Sequence, residues 1–224
     1  MLQLLNSLIV SVVLAVTTAI PVKAQDISLL PKYGSAQKTT AQQDADKRFI
    51  SEIDKHYQGD RKKGAAEAAK RGWSLLRQGK PDEAMRRFNQ AWLLDSGNGA
   101  AIWGMAAAQA SLEKNSDALR LFAEADRLVG DDIDFAVDHA RALGMIGVQT
   151  ENKALVADAL TRFPKLQARA PDHTLNFQNW AITLYHLGNY REAWQKVKLA
   201  EKTPRANELD KGFVAELQRK MPRP

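Results

Sequence analysis

Cysteine is absent from the 224-residue chain. No disulfide can form, so stability must come from packing. A lipid-modified export signal, which needs a cysteine at its cleavage point, is excluded. Glycine and proline are sparse, at 13 and 8 residues, and low-complexity tracts are missing, so most of the chain is free to form regular structure. There is no glycine-rich phosphate loop, no nucleophile elbow and no His-Glu-x-x-His, the patterns that announce nucleotide, acyl-transfer or metalloprotease chemistry. His56, His139, His173 and His186 form no His-x-x-x-His pair, so neither a metal nor another cofactor is expected, and the chain is not read as an enzyme.

Positive charge is also missing ahead of the apolar run Leu4 to Ile20, which is interrupted only by Asn6, Ser7, Ser11, Thr17 and Thr18. Pro21 ends that run, and small residues flank Lys23 before Gln25. Residues 1–24 are therefore read as a secretory signal peptide cleaved after Ala24. The rival reading, an uncleaved anchor, meets a run shorter than the ~20 residues a spanning helix needs. The expected location is the periplasm, with secretion as the alternative and no integral membrane segment after cleavage. The formal charge is +6, or +5 once Lys23 is removed. That excess suits an acidic protein, an anionic polymer or a membrane surface, or serves solubility alone. Export argues against nucleic acid as a partner.

What the chain does have is a repeat. Ala84, Phe88 and Ala91 return 34 residues later as Ala118, Phe122 and Ala125. They return again after 41 residues as Ala159, Phe163 and Leu166, and after 34 more as Ala193, Val197 and Ala200. Gly72, Ala106, Ala140 and Ala181 are small residues at matching places in the first half of each unit. Apolar residues within each half fall at helical spacing, and the turns Gln78–Glu83 and Leu187–Glu192 pair a helix-closing Gly with a helix-opening Pro or acid. One hairpin cannot bury its apolar face, but several stacked hairpins bury a continuous core.

These residues resemble the tetratricopeptide repeats. The fourth unit matches best, through Phe177, Trp180, Ala181, Leu184, Gly188, Tyr190, Ala193 and Ala200. The first follows with Gly72, Leu75, Gly79, Ala84, Phe88, Ala91 and Asp95. In the second, Lys114 and Asn115 replace the usual Gly-containing turn. The third is degenerate, with its extra residues placed around Gly147 to Lys153. The resemblance implies an all-α solenoid of about four helical hairpins, at 65–98, 99–132, 133–172 and 174–203. It is nearly silent on function. Residues 25–40 hold Pro31 and Gly34 and are expected to be a poorly ordered leader. That leader is read as a spacer, with folding back of Leu29 to Tyr33 into the protein's own groove as the alternative. Residues 41–64 are expected to form an N-terminal helix, opened by a capping box at Thr40 and Gln43, and a linker. Residues 204–224 form a capping helix with Leu209, Phe213 and Leu217 on its apolar side.

Stacked hairpins of this kind curve, with their first helices on the concave side. The period aligns Ala69, Trp103, Val137 and Gln178 in one row there. Trp73, Ala107, Arg141 and Ile182 make the next, and Leu76, Ala110, Gly144 and Tyr185 a third. The expected partner-binding groove thus sets Trp73, Trp103, Arg141, Gln178, Ile182 and Tyr185 on a floor of small residues. Lys70 and Asn179 are further candidates beside it. Such a wall fits an apolar side chain of another protein or peptide, unless the aromatics serve their own core. Members of the family that clamp a C-terminal carboxylate carry Lys, Asn and Arg where this chain has Ala69, Trp73, Gly104, Asp134 and Asp138, so that activity is not carried over. Arg61, Lys62 and Lys63, with Lys70, Arg71, Arg86 and Arg87, make a basic patch, read as solvated helix surface before it is read as a binding site. The expected role is an adaptor or scaffold. The alternatives are a subunit of an envelope enzyme complex or a self-assembling structural protein.

Overall fold

The computed structural model describes residues 26–224; the expected signal segment, 1–24, lies outside the described residues. The described chain contains the helices α1 (Thr40–His56), α2 (Arg61–Arg77), α3 (Pro81–Leu94), α4 (Gly99–Ser111) and α5 (Asn115–Val129). It continues with α6 (Ile133–Gln149), α7 (Lys153–Arg169), α8 (Thr174–His186), α9 (Tyr190–Ala200) and α10 (Lys211–Lys220). The pairs α2–α3, α4–α5, α6–α7 and α8–α9 are antiparallel hairpins stacked side by side, so the chain is an all-α solenoid. The inner helices α2, α4, α6 and α8 pack on one another in series, whereas α3, α5 and α7 pack on their own partner and the next inner helix. The inner set therefore lines the concave side.

Local chemistry starts and stops these helices where the turns fall. Asp60, Asn98, Asp132, Asn152, His173 and Asp210 each accept a hydrogen bond from a first-turn N–H. Pro81 opens α3 at a position whose N–H would lack a partner anyway. Gly79 and Gly188 take φ of +72° and +77° in the hairpin turns; Glu113 and Glu151 hold the same left-handed place in the second and third hairpins. The capping box of α1 sits one residue earlier than expected. Thr39 Oγ1 accepts from Gln42 N, and Gln42 Oε1 accepts from Thr39 N at 2.9 Å. Tandem Thr-Thr and Gln-Gln satisfy the pattern in both registers, and spacing alone does not choose between them.

The recurring Phe of each outer helix is the centre of the packing. Phe88, Phe122 and Phe163 are all buried, as is Val197 in the fourth unit. Their rings fill the space the small residues leave: a Cβ added at Gly72 would lie 2.6 Å from Phe88 Cε1, and one at Gly104 only 2.2 Å from it. Gln109 breaks the pattern. Its place is taken by Leu75, Leu143 and Leu184 in the other hairpins, it is fully buried, and neither its Oε1 nor its Nε2 finds a partner. Gln109→Leu should therefore raise stability by about 1–3 kcal/mol, the desolvation cost of unpaired amide groups. A urea midpoint unchanged or lowered by the substitution would show that the amide is satisfied.

The third hairpin differs from the expected loop insertion. Its turn is the same three residues, Thr150 to Asn152, as the turns before and after it. The seven extra residues lengthen α6 by four over α4 and α7 by two over α5, with one more in the connection to α8. Seven residues are close to two helical turns, so the phase of the apolar stripe survives.

The leader also departs from expectation. Residues 26–35 form two short 3-10 turns laid against α3. The fully buried Asn89 donates through Nδ2 to the carbonyls of Ser28 and Leu30, each at 2.8 Å. Arg86 reaches Asp26 and Ser28 at 3.1 Å, and Lys32 pairs with Glu124 of α5. Lys38 stands 3.3 Å over the Tyr33 ring. This surface belongs to the convex side, so the leader folds back but not into the concave groove. At the other end, Phe213 and Leu217 of α10 are buried against Leu184, Trp194 and Val197, with Leu209 at the margin.

Candidate functional site

The three rows expected on the concave wall separate once side chains are placed. In the first row Ala69 and Val137 are buried between neighbouring inner helices, while Trp103 and Gln178 are half-buried and reach the surface. The second row is the exposed one: Arg141 is exposed, while Trp73, Ala107 and Ile182 are half-buried. In the third, Leu76, Ala110 and Tyr185 are half-buried and Gly144 is buried against Thr183.

Trp73 and Trp103 meet edge to face, with centroids 4.7 Å apart. Trp73 continues edge-on to Phe88 at 5.6 Å, and Trp103 to Phe135 at 5.7 Å. Four rings thus run from the core out to the groove, and each Trp serves both. Such contacts hold the two indoles rigidly in place. The Trp103 indole N–H donates to Asp138 Oδ2 at 2.8 Å, which fixes the ring's orientation.

Beyond Trp103 a cavity of about 500 Å³ opens between α4 and α6. Ala107, Ala110 and Met145 give it apolar walls, and Asp138, Arg141 and His186 give it polar ones. The last turn of the lengthened α6, carrying Val148 and Gln149, extends the wall, and Asn115 Nδ2 donates to Gln149 Oε1 at 3.2 Å. Arg141 Nη1 lies 3.7 Å from Asp138 Oδ1, too long for a hydrogen bond, so that oxygen retains capacity for a ligand donor. Burial pushes the Asp138 carboxyl above the usual carboxylate range, against the opposing pull of the Trp103 N–H and of Arg141. Behind it, His139 stacks on Phe122 at 5.2 Å, and burial pushes its imidazole down to about 4. It is neutral at pH 7.

The structure does not bring all six expected groove residues together. Arg141 lines the α4–α6 cavity, Trp103 meets its edge through Asp138, and Trp73 lines a separate recess with Ala69 and Lys70. Gln178, Ile182 and Tyr185 lie at the far end, against the C-terminal segment. Gln178 Oε1 accepts from the Asp210 N–H at 2.7 Å, and Tyr185 packs edge-on to Phe213 at 5.8 Å. A shallower recess lies between Ile182, Tyr185 and α10. Of the acidic residues at the carboxylate-clamp positions, Asp134 pairs with His173 at 2.9 Å and Asp138 with Trp103. Of the basic patch, Arg61 makes a two-pronged contact with Asp54 at 2.8 and 2.7 Å, which ties α1 to the start of α2, and Arg86 is taken up by the leader. Sequence reasoning missed Met145 and His186 as lining residues and Asn89 as a binding residue. For Asn89 a faint signal existed: the other outer helices hold Ala123, Pro164 and Lys198 at its place.

A family model described as tetratricopeptide repeat matches residues 75–142. No curated protein matches the sequence. Among solved structures the chain is similar to a thermophilic tetratricopeptide repeat protein of Thermus thermophilus, at 18% identity and a TM-score of 0.63, over 71% of this chain and 84% of that one. It is also similar to MamA of Desulfovibrio magneticus, at 17% identity and a TM-score of 0.48, over 72% of this chain and 93% of that one. The first of these likenesses establishes the shared fold.

Proposed function

We propose that this chain, whose residues 75–142 match the tetratricopeptide repeat model and whose fold is shared with a tetratricopeptide repeat protein, is an exported adaptor which holds a partner polypeptide on its concave side. A role in protein interaction is what this fold suggests; the groove, the partner's chemistry and the location are our reading. The observation that carries it is the rigid pair Trp73 and Trp103, of which Trp103 hydrogen-bonds Asp138 at the edge of a cavity walled by Ala107 and Ala110. Aromatic anchors next to small residues accept an apolar side chain, and the free oxygen of Asp138 accepts a backbone or side-chain N–H beside it. Nothing in this arrangement needs a reacting group, in keeping with binding rather than turnover.

The test is crosslinking of the exported protein in intact cells, comparing wild type with a Trp73→Ala/Trp103→Ala double variant whose helicity has been verified. Loss of a captured partner only in the variant is the expected result. Affinity for that partner should fall by about 2 kcal/mol, roughly thirtyfold. A partner captured equally by both would move the site away from this groove. Loss of helicity in the variant would assign both rings to the core.

A further inference from the structure

The cleft between α3 and α5 on the convex face holds the two 3-10 turns of the leader by their main chain. Asn89 is fully buried, yet its amide makes two hydrogen bonds to main-chain carbonyls of the leader and none to its own repeat. This grip does not depend on the side chains it holds. Selectivity comes from the two ends, where Arg86 meets Asp26 and Glu124 meets Lys32. Among the described residues, nothing but the leader explains a buried amide at this position.

The segment that returns the leader to α1 is strained. Lys32, Tyr33, Gly34 and Ser35 have φ of 53°, 58°, 66° and 54°, four consecutive left-handed residues of which only one is glycine. The reversal is required only because cleft and leader belong to one chain. If the leader lay in the cleft of another molecule, the same residues would run on in an extended conformation and the strain would be released. Short strained hinges beside a self-complementary contact favour exchange of identical segments.

We propose that this convex cleft is a second recognition site, separate from the concave groove, and that a second copy of the chain fills it by exchange of leaders. The product is a symmetric pair joined through residues 26–33, with both concave grooves left open. The partly buried ion pair supplies a clean test in full-length protein. Lys32→Glu sets two carboxylates against each other in the closed monomer, and Glu124→Lys sets two ammonium groups against each other. The two variants are purified separately, checked for wild-type helicity by circular dichroism, and then mixed and sized by light scattering. Each alone should be monomeric, and the mixture should contain a species of twice the mass, because only exchange between unlike chains restores an ion pair at this contact. A mixture that stays monomeric at the highest attainable concentration overturns the exchange. A dimer formed equally by either variant alone overturns it too, since association would not then run through this contact.

Discussion

Phe88→Ala should cost about 3–5 kcal/mol, and in that background Gly104→Ala should change from harmful to neutral or helpful. The Phe88 ring is gripped between Gly72 and Gly104 and touched edge-on by Trp73. Removing it leaves a cavity at the junction of the first two hairpins, where inner helices cannot close up without moving the whole stack. Adding a methyl group at Gly104 to the intact protein forces a carbon to within 2.2–2.6 Å of three ring atoms. The cost of such overpacking, about 1–3 kcal/mol, outweighs the gain of about 1 kcal/mol that Ala brings to a helix interior. With the ring gone, the clash is gone and the propensity gain remains. Urea unfolding of the two single variants and the double variant measures this coupling. Additive effects would mean that the glycines are small for some reason unrelated to Phe88.

Acid should weaken the fold through His139. Its imidazole titrates near 6.5 in the unfolded chain and at about 4 in the folded one, because burial disfavours the charged form and Arg162 adds repulsion; Asp126 and Asp158 pull the other way. The unfolded state thus takes up the proton first as pH falls. The stabilisation is complete above pH 6.5 and is lost progressively down to about 4, to a total on the order of 3 kcal/mol. Asp138 works in the opposite sense. Its folded carboxyl sits above the ordinary range, so its contribution grows on acidification and offsets part of the loss at the lower end of that window. His139→Met, which copies Met105 of the preceding hairpin, should flatten the profile between pH 6.5 and 4 and raise stability at pH 7 by removing the unpartnered Nδ1. An equally steep profile in the variant would place the acid sensitivity elsewhere.

The period, the helix pairing and most caps were legible because they depend on neighbours a few residues apart. The turn Gln78–Glu83 is an example: Gly79 closes α2 at a φ of +72° and Pro81 opens α3. The third hairpin was legible only in length, since residues added in nearly whole turns leave the same periodicity whether they extend helices or form a loop. The leader was misread for a different reason. Pro31 and Gly34 do break helices, but order there comes from Asn89, some sixty residues away. The candidate site shows the same division. Trp73, Trp103 and Arg141 could be aligned from the period and residues 204–224 could be read as a capping helix, whereas the contacts of that segment with Gln178 and Tyr185 could not, because an apolar stripe does not say which residues of the last unit it covers.

The docked leader has a mechanical consequence. A solenoid flexes by pivoting where its inner helices touch, so any change in curvature shows up as movement between the outer helices. The leader spans from α3 to α5, with Asn89 at one anchorage and Glu124 at the other. It resists their approach as a spacer and their separation as a tie rod, which holds the first junction at one curvature. The Trp73–Trp103 pair sits directly across from that brace. It is therefore held at a set spacing, while changes in curvature fall to the junctions further along the stack.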